Sequence, residues 1–191
     1  MRPFQMSLIC RNILARARTI RLLADQRAVA ATEFALLLPF LLTLYVGATQ
    51  LILGILINRQ VALTANTVAN IVSQYTSISA GSQMPDVLNA AVQIFSPNST
   101  TPANLVVSLV TIDNAGKATV AWSQTLNGTA RKVGAIVALP TALDVPNTNL
   151  VFSEAGYTYT PVFTFVPLPT MYLYAPIFTP PRNSTTINLL S

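Results

Sequence analysis

Histidine is absent from the 191 residues, and cysteine occurs once, at Cys10. Without an imidazole the chain cannot run a Ser-His-Asp triad, a histidine general base or a His-ligated zinc. One thiol forms no internal disulfide and cannot supply the roughly four N or S ligands of a structural tetrahedral site. Charge is also scarce: 9% of residues are Asp, Glu, Lys or Arg, against about 25% in an ordinary soluble domain. The acids are Asp25, Glu33, Asp86, Asp113, Asp144 and Glu154, and no two lie closer than eight residues in sequence. That spacing offers no local carboxylate pair for a metal or a glycosidase-type site. A glycine-rich phosphate loop, a Walker pattern and a GxSxG elbow are missing as well. These absences leave catalysis, cofactors and metals without a candidate residue, so the chain is not expected to be an enzyme. An anchored enzyme would need a Ser/Lys or Asp/Asp site assembled by folding.

What the chain has in excess is apolar surface, with 52% hydrophobic residues and a mean hydropathy of +0.53. Much of it lies in residues 34–57, FALLLPFLLTLYVGATQLILGILI, 24 residues without a charge. As a helix these would measure ~36 Å, enough to cross a hydrocarbon core of roughly 30 Å. The polar members are Thr43, Thr49 and Gln50, and the two hydroxyls can bond to carbonyls of the preceding turn. Pro39 removes one backbone donor and predicts local loosening there. Gly47 and Gly54 are seven apart, on one face, where a neighbouring helix could pack closely.

The charge is as unevenly placed as the hydrophobicity. Arg2, Arg11, Arg16, Arg18, Arg21 and Arg27 against Asp25 hold the whole formal excess of +5, and the remainder of the chain balances. A basic arm can bind nucleic acid, but an apolar run following directly makes it the flank of a membrane anchor, with no nucleic-acid partner expected. The positive-inside rule then puts the N terminus in the cytoplasm and the C-terminal part outside. A cleaved secretory signal is the rival, with Val46-Gly47-Ala48 as its small-residue site. The leader ahead of the apolar run is long for such a signal, and LILGILI would remain beyond the cut.

After Arg59, the residues Val61, Ala65, Val68, Val72 and Tyr75 recur at helical spacing, so the helix is expected to continue outward to about Tyr75. Leu88, Ala91, Val92 and Phe95 mark a second short helix before Ser96-Pro97. Residues 105–113 and 117–123 read as a hairpin turned at Asn114-Ala115-Gly116, and 137–139 as a weak further pairing. Residues 149–166 read as a long strand broken or bulged at Gly156 and Pro161. The proline-rich stretch 161–181 reads as an irregular arm, and 185–190 as a last strand closing the sheet. The expected fold is α+β: a long N-terminal transmembrane helix extending outward and packed on a small antiparallel sheet, in a single-pass protein. The expected divisions are 1–28, a basic cytoplasmic leader; 29–58, the membrane helix; and 59–191, the extracytoplasmic domain. Tyr157, Tyr159, Tyr172 and Tyr174 read as a packed strand face. Asn98-Ser99-Thr100, Asn127-Gly128-Thr129 and Asn183-Ser184-Thr185 fit the glycosylation pattern.

The stretch from Asp25 through Ala28, Val29, Glu33 and Phe34 to Pro39 combines a basic run, small residues and one acid at the edge of an apolar span. It resembles the N terminus of the TadE/TadG-like pseudopilins of tight-adherence (Flp, type IVc) pilus systems. In that family a Gly or Ala precedes four residues, a Glu, an aromatic and an apolar segment with a Pro. Tyr157-Thr-Tyr159-Thr-Pro161, Pro181-Arg182 and Val120-Ala-Trp122-Ser123 resemble later segments more weakly. The resemblance implies a pilin-like fold and a processing site between Ala28 and Val29, cut by an inner-membrane prepilin peptidase. It implies that Glu33 and Phe34 serve assembly, and that the partners are the membrane, other pilus or pseudopilin subunits and secretion-platform proteins. The function implied is that of a minor pseudopilin or pilus-assembly factor in adhesion, at the bacterial inner membrane or within a pilus. The alternative is an uncleaved, membrane-anchored envelope scaffold or receptor. Physically, a carboxylate entering hydrocarbon costs about 2.5–3.5 kcal/mol on insertion scales, so Glu33 either marks the water interface or pairs with a cation when subunits pack, and the amine released at Val29 would be one.

The charge asymmetry predicts that a reporter fused after Ser191 is active only in an extracytoplasmic form. Cytoplasmic activity of that fusion would reverse the topology.

Overall fold

The structure, a computed structural model, describes residues 26–163 and 168–191. The expected leader, 1–28, lies outside them except for the backbone of its last three residues. Helix α1 runs over Gln26–Val72, and β1, Ser77–Ser79, and α2, Gln83–Val92, follow it. After a 3-10 turn at Gln93–Phe95 come β2, Ala103–Ile112, and β3, Ala118–Leu126. A second 3-10 turn, Thr141–Leu143, precedes β4, Asn149–Tyr159, then β5, Met171–Thr179, and β6, Asn188–Leu190. The fold is α+β. A four-stranded antiparallel sheet has the order β3-β2-β4-β5, and β1 and β6 form a separate parallel pair.

The chain divides into two units between Thr49 and Gln50. In the first, the described residues are helical, and their apolar side chains face outward: Phe34, Leu36, Phe40, Leu44 and Tyr45 are all exposed. The helix is unbroken through Pro39. The Thr43 hydroxyl donates to Pro39 O at 2.8 Å and the Thr49 hydroxyl to Val46 O at 2.8 Å, so both satisfy themselves locally as expected. Among the described residues one helix, Val29–Val72, is long and apolar enough to cross a membrane, with a mean hydropathy of 2.1 in its most apolar window.

The second unit is built on the rest of α1. Gln50, Gly54, Ile57, Val61, Ala65, Val68 and Val72 are buried at spacings of three or four, the period of one helical face. Opposite them lie Leu105, Val107 and Leu109 of β2, Val151, Ala155, Tyr157 and Tyr159 of β4, and Leu173, Ala175 and Ile177 of β5. Helix α2 closes the same core with Met84, Leu88 and Val92, and Phe95 stacks on Tyr157 at 4.9 Å. The expected outward helix is thus present, ending at Val72 in a turn rather than at Tyr75.

The hairpin forms around Asp113, whose Oδ1 accepts from the N–H groups of Ala115 and Lys117 at 2.8 Å each, while Gly116 takes φ +77°. Ala121 is an extra residue in β3: Leu109 pairs with Trp122, but Val110 pairs with Val120. In an unbroken strand Val120 and Trp122 would share a face. The bulge sends Val120 to the outer face and Trp122 to the helix side, where its indole N–H donates to Ile187 O at 2.8 Å. Chain near 137 does pair with β3, through the Thr119–Ile136 bridge and the Val137 N–H to Ala118 O bond.

Three expectations for the C-terminal half are corrected. Strand β4 runs through Gly156 without a break and ends at Tyr159. The glycine is needed for close approach: a Cβ there would meet the Tyr172 hydroxyl at 2.1 Å and Asn104 Oδ1 at 2.2 Å. Residues 171–179, expected to be irregular, form β5, because an edge strand tolerates Pro176, which lies opposite Glu154. The last residues do not close the sheet. They cross the end of α1, where orphan carbonyls need donors: the N–H of Arg182 reaches Ser73 O at 2.8 Å and Asn183 Nδ2 reaches Gln74 O at 2.7 Å. Strand β6 then pairs with β1 instead.

Trp122→Phe keeps the aromatic volume but leaves Ile187 O without its donor. The expected loss is about 1–3 kcal/mol in urea unfolding of the detergent-solubilised protein, with faster amide exchange in β1 and β6. Unchanged exchange there would mean that the tail is held without the indole.

Candidate functional site

The residues expected to carry assembly lie in the first unit. Val29 and Glu33 are four residues apart in α1 and therefore on one face, both exposed, as is Phe34. The Thr32 hydroxyl donates to Val29 O at 2.7 Å, spending its donor within the turn. Ala28 is helical in its backbone. Gly47 is half-buried. Gly54 belongs to the second unit, and a Cβ on it would stand 3.6 Å from Tyr159 and 3.7 Å from Met171. Those are ordinary van der Waals distances, so Gly54 lies beside β4 and β5 of the same chain in a place that would also admit a Cβ.

Gln50 sits at the start of the buried stripe and joins the helix to the end of the sheet. Its side chain is 1% exposed. In the amide orientation that satisfies every partner, Nε2 donates to the Tyr159 hydroxyl at 2.7 Å, and Oε1 accepts from the N–H groups of Phe163 at 3.0 Å and Val162 at 3.3 Å. The Tyr159 hydroxyl in turn donates to Gln50 O at 3.1 Å. Burial raises the Tyr159 pKa, keeping the phenol a donor. The sequence marks Gln50 as a lone amide in an apolar run but does not reveal its partners, which lie more than a hundred residues away.

On the outer face of the sheet is the one ion pair found among the described residues. Arg131 Nε lies 2.5 Å from Glu154 Oε2 and Nη2 lies 2.7 Å from Oε1, a bidentate arrangement. The Tyr174 hydroxyl donates to the same Oε1. The guanidinium covers the Phe152 ring at 4.9 Å, and Phe152 stacks on Phe178 at 4.2 Å. Hydrogen bonding to Glu154 raises the Arg131 pKa, so the cation is permanent. Burial, with the bond to Glu154 adding to it, pushes Tyr174 up to about 12. A raised folded pKa means that this contribution to stability is complete below about pH 10 and lost as pH rises towards 12. A neutral phenol, a fixed cation and a carboxylate whose oxygens are all engaged form a clamp on the 127–140 loop and leave no group free for acid–base work. An open groove of about 530 Å³ borders it, lined in part by Arg131, Phe152, Tyr174 and Phe178.

The four tyrosines read as one packed face divide between two. Tyr157 and Tyr159 are buried against the helices, whereas Tyr172 and Tyr174 are exposed on the outer face, since their strands pair Thr158 with Tyr172 and Gly156 with Tyr174. The asparagines of the three glycosylation-type triplets all donate within the chain: Asn98 to Gln60 Oε1, Asn127 to Ala103 O and Asn183 to Gln74 O. Set against known proteins, the chain matches no family model, no curated sequence and no solved structure.

Glu154→Gln takes the charge out of the clamp. Hydrogen bonds to charged groups contribute about 1.5–3 kcal/mol, and a loss of that order is expected in urea unfolding. Trypsin should also cut faster after Arg131 and Lys132. An unaltered cleavage rate would show that the loop is held by its apolar contacts alone.

Proposed function

We propose that the protein is a minor pseudopilin or pilus-assembly factor of a tight-adherence pilus. In this reading α1 is a single-pass inner-membrane anchor with its N terminus in the cytoplasm and the α+β domain outside. A prepilin peptidase cuts between Ala28 and Val29, and the protein acts through helix packing and contacts with other subunits.

The observation that carries the reading is the division of labour along α1. From Val29 to Thr49 its apolar side chains point outward with Glu33 as the only charge, and from Gln50 to Val72 one stripe of the same helix is the core of a small antiparallel domain. A helix that is apolar outside over one part and amphipathic over the next is what an anchor continuous with its domain requires. Glu33 supports the same reading. A carboxylate at the edge of an apolar run is costly unless paired, and cleavage would create an amine on the same helical face, four residues away, available to its own Glu33 or to a neighbour's.

The test joins processing to assembly. In cells containing the peptidase, the intact mass of the membrane-extracted protein should correspond to 163 of the 191 residues, beginning at Val29. Glu33→Leu should stay folded and membrane-bound yet fail to co-purify with pilus components, with adherence reduced. Removing one partner of a buried ion pair costs about 3–5 kcal/mol, more than a hundredfold in an assembly equilibrium. A full-length mass together with normal crosslinks in Glu33→Leu would favour the uncleaved scaffold.

A further inference from the structure

The chain holds a second long uncharged stretch. Between Glu154 and Arg182 there is no Asp, Glu, Lys or Arg, and the stretch carries Tyr157, Tyr159, Phe163, Phe165, Tyr172, Tyr174 and Phe178. Its middle is the connection from β4 to β5, and Gln50 of α1 fixes the start of that connection through Tyr159 and the N–H groups of Val162 and Phe163. The side chains beyond this anchor turn outward: Val162 is 73% exposed and Phe163 47%. On the same turns of α1, Leu51, Ile52, Leu53, Ile55 and Leu56 are exposed as well. Scattered surface hydrophobics need no explanation, but seven exposed without a charge at one end of the domain do.

We infer that this end of the domain is a membrane-contact surface, with Val162 and Phe163 seated in the headgroup and upper acyl region of the leaflet on the domain's side. The inference rests on reading α1 as an anchor. The occupant follows from continuity. The uncharged run of α1, residues 34–58, extends into the compact unit that starts at Gln50, so Leu51 to Leu56 belong to the same run that the anchor reading places in lipid. Its first flanking cation is Arg59, at the level expected for a headgroup partner. Exposed Phe, Trp and Leu side chains are what interfacial segments bury at the boundary of headgroups and acyl chains. A water-facing connection would be expected to carry the charged and turn-forming polar residues that this one lacks.

Site-directed fluorescence tests this on the full chain. With Cys10→Ser removing the only thiol, single cysteines replace Val162, Leu41 and Lys117, the last at the opposite end of the sheet in the β2–β3 hairpin. Each variant is labelled with an environment-sensitive fluorophore and reconstituted into phosphatidylcholine vesicles with or without bromine on the acyl chains. The probes at 41 and 162 should lose at least half their intensity in brominated lipid, and the probe at 117 should lose none. Quenching at 41 without quenching at 162 overturns the contact surface and leaves the anchor standing, whatever else covers the patch. No quenching at either position removes the anchor and the contact surface together.

Discussion

The structure depends on one buried amide. Gln50 lies in an apolar helix, and a buried amide without partners costs about 1–3 kcal/mol, so the chain has to bring acceptors and donors to it. It does so with Tyr159 and the backbone after β4. This fixes where the sheet meets α1, and Tyr159 and Met171 pack beside Gly54 one turn on. From there the stripe Ile57, Val61, Ala65, Val68 and Val72 sets the sheet along the helix, and the remaining strands follow by pairing.

The sheet then has to treat its two faces differently. The helix side is mostly apolar, with Ser153 among its buried residues and Trp122 brought to it by the bulge at Ala121. The outer side keeps a smaller cluster around Val110, Val120, Leu150 and Phe152 under the loop that Arg131 pins to Glu154. An ion pair half open to water contributes little by itself; bidentate geometry, the ring beneath the guanidinium and a third bond from Tyr174 make this one a fastener for the loop.

In the proposed reading α1 serves as anchor before Gln50 and as the core of the domain after it, so one element would carry both roles. The membrane contact inferred for the β4–β5 end would add a second lipid contact to the one proposed for α1.

The sequence determined by itself whatever depended on a short period or a local turn. The apolar run, its arginine flank, the stripe beyond Arg59, the Asp113 turn and the α+β class could all be read from spacing, because helix and hairpin geometry involve neighbours within a few residues. Glu33 stood out as a candidate because a charge beside hydrocarbon is rare, though nothing in the fold bears on its partner. Tertiary structure alone decided that Gln50 is a joint, that Gly54 faces its own sheet and that Tyr172 and Tyr174 lie on the opposite face from Tyr157 and Tyr159. It also decided that residues 171–179 of the proline-rich stretch form an edge strand and that the tail crosses the end of α1 to pair with β1. Each of these is settled by a partner far away in the chain: an acceptor, an orphan carbonyl or a free sheet edge. Local preference carries no information about which distant group will be there.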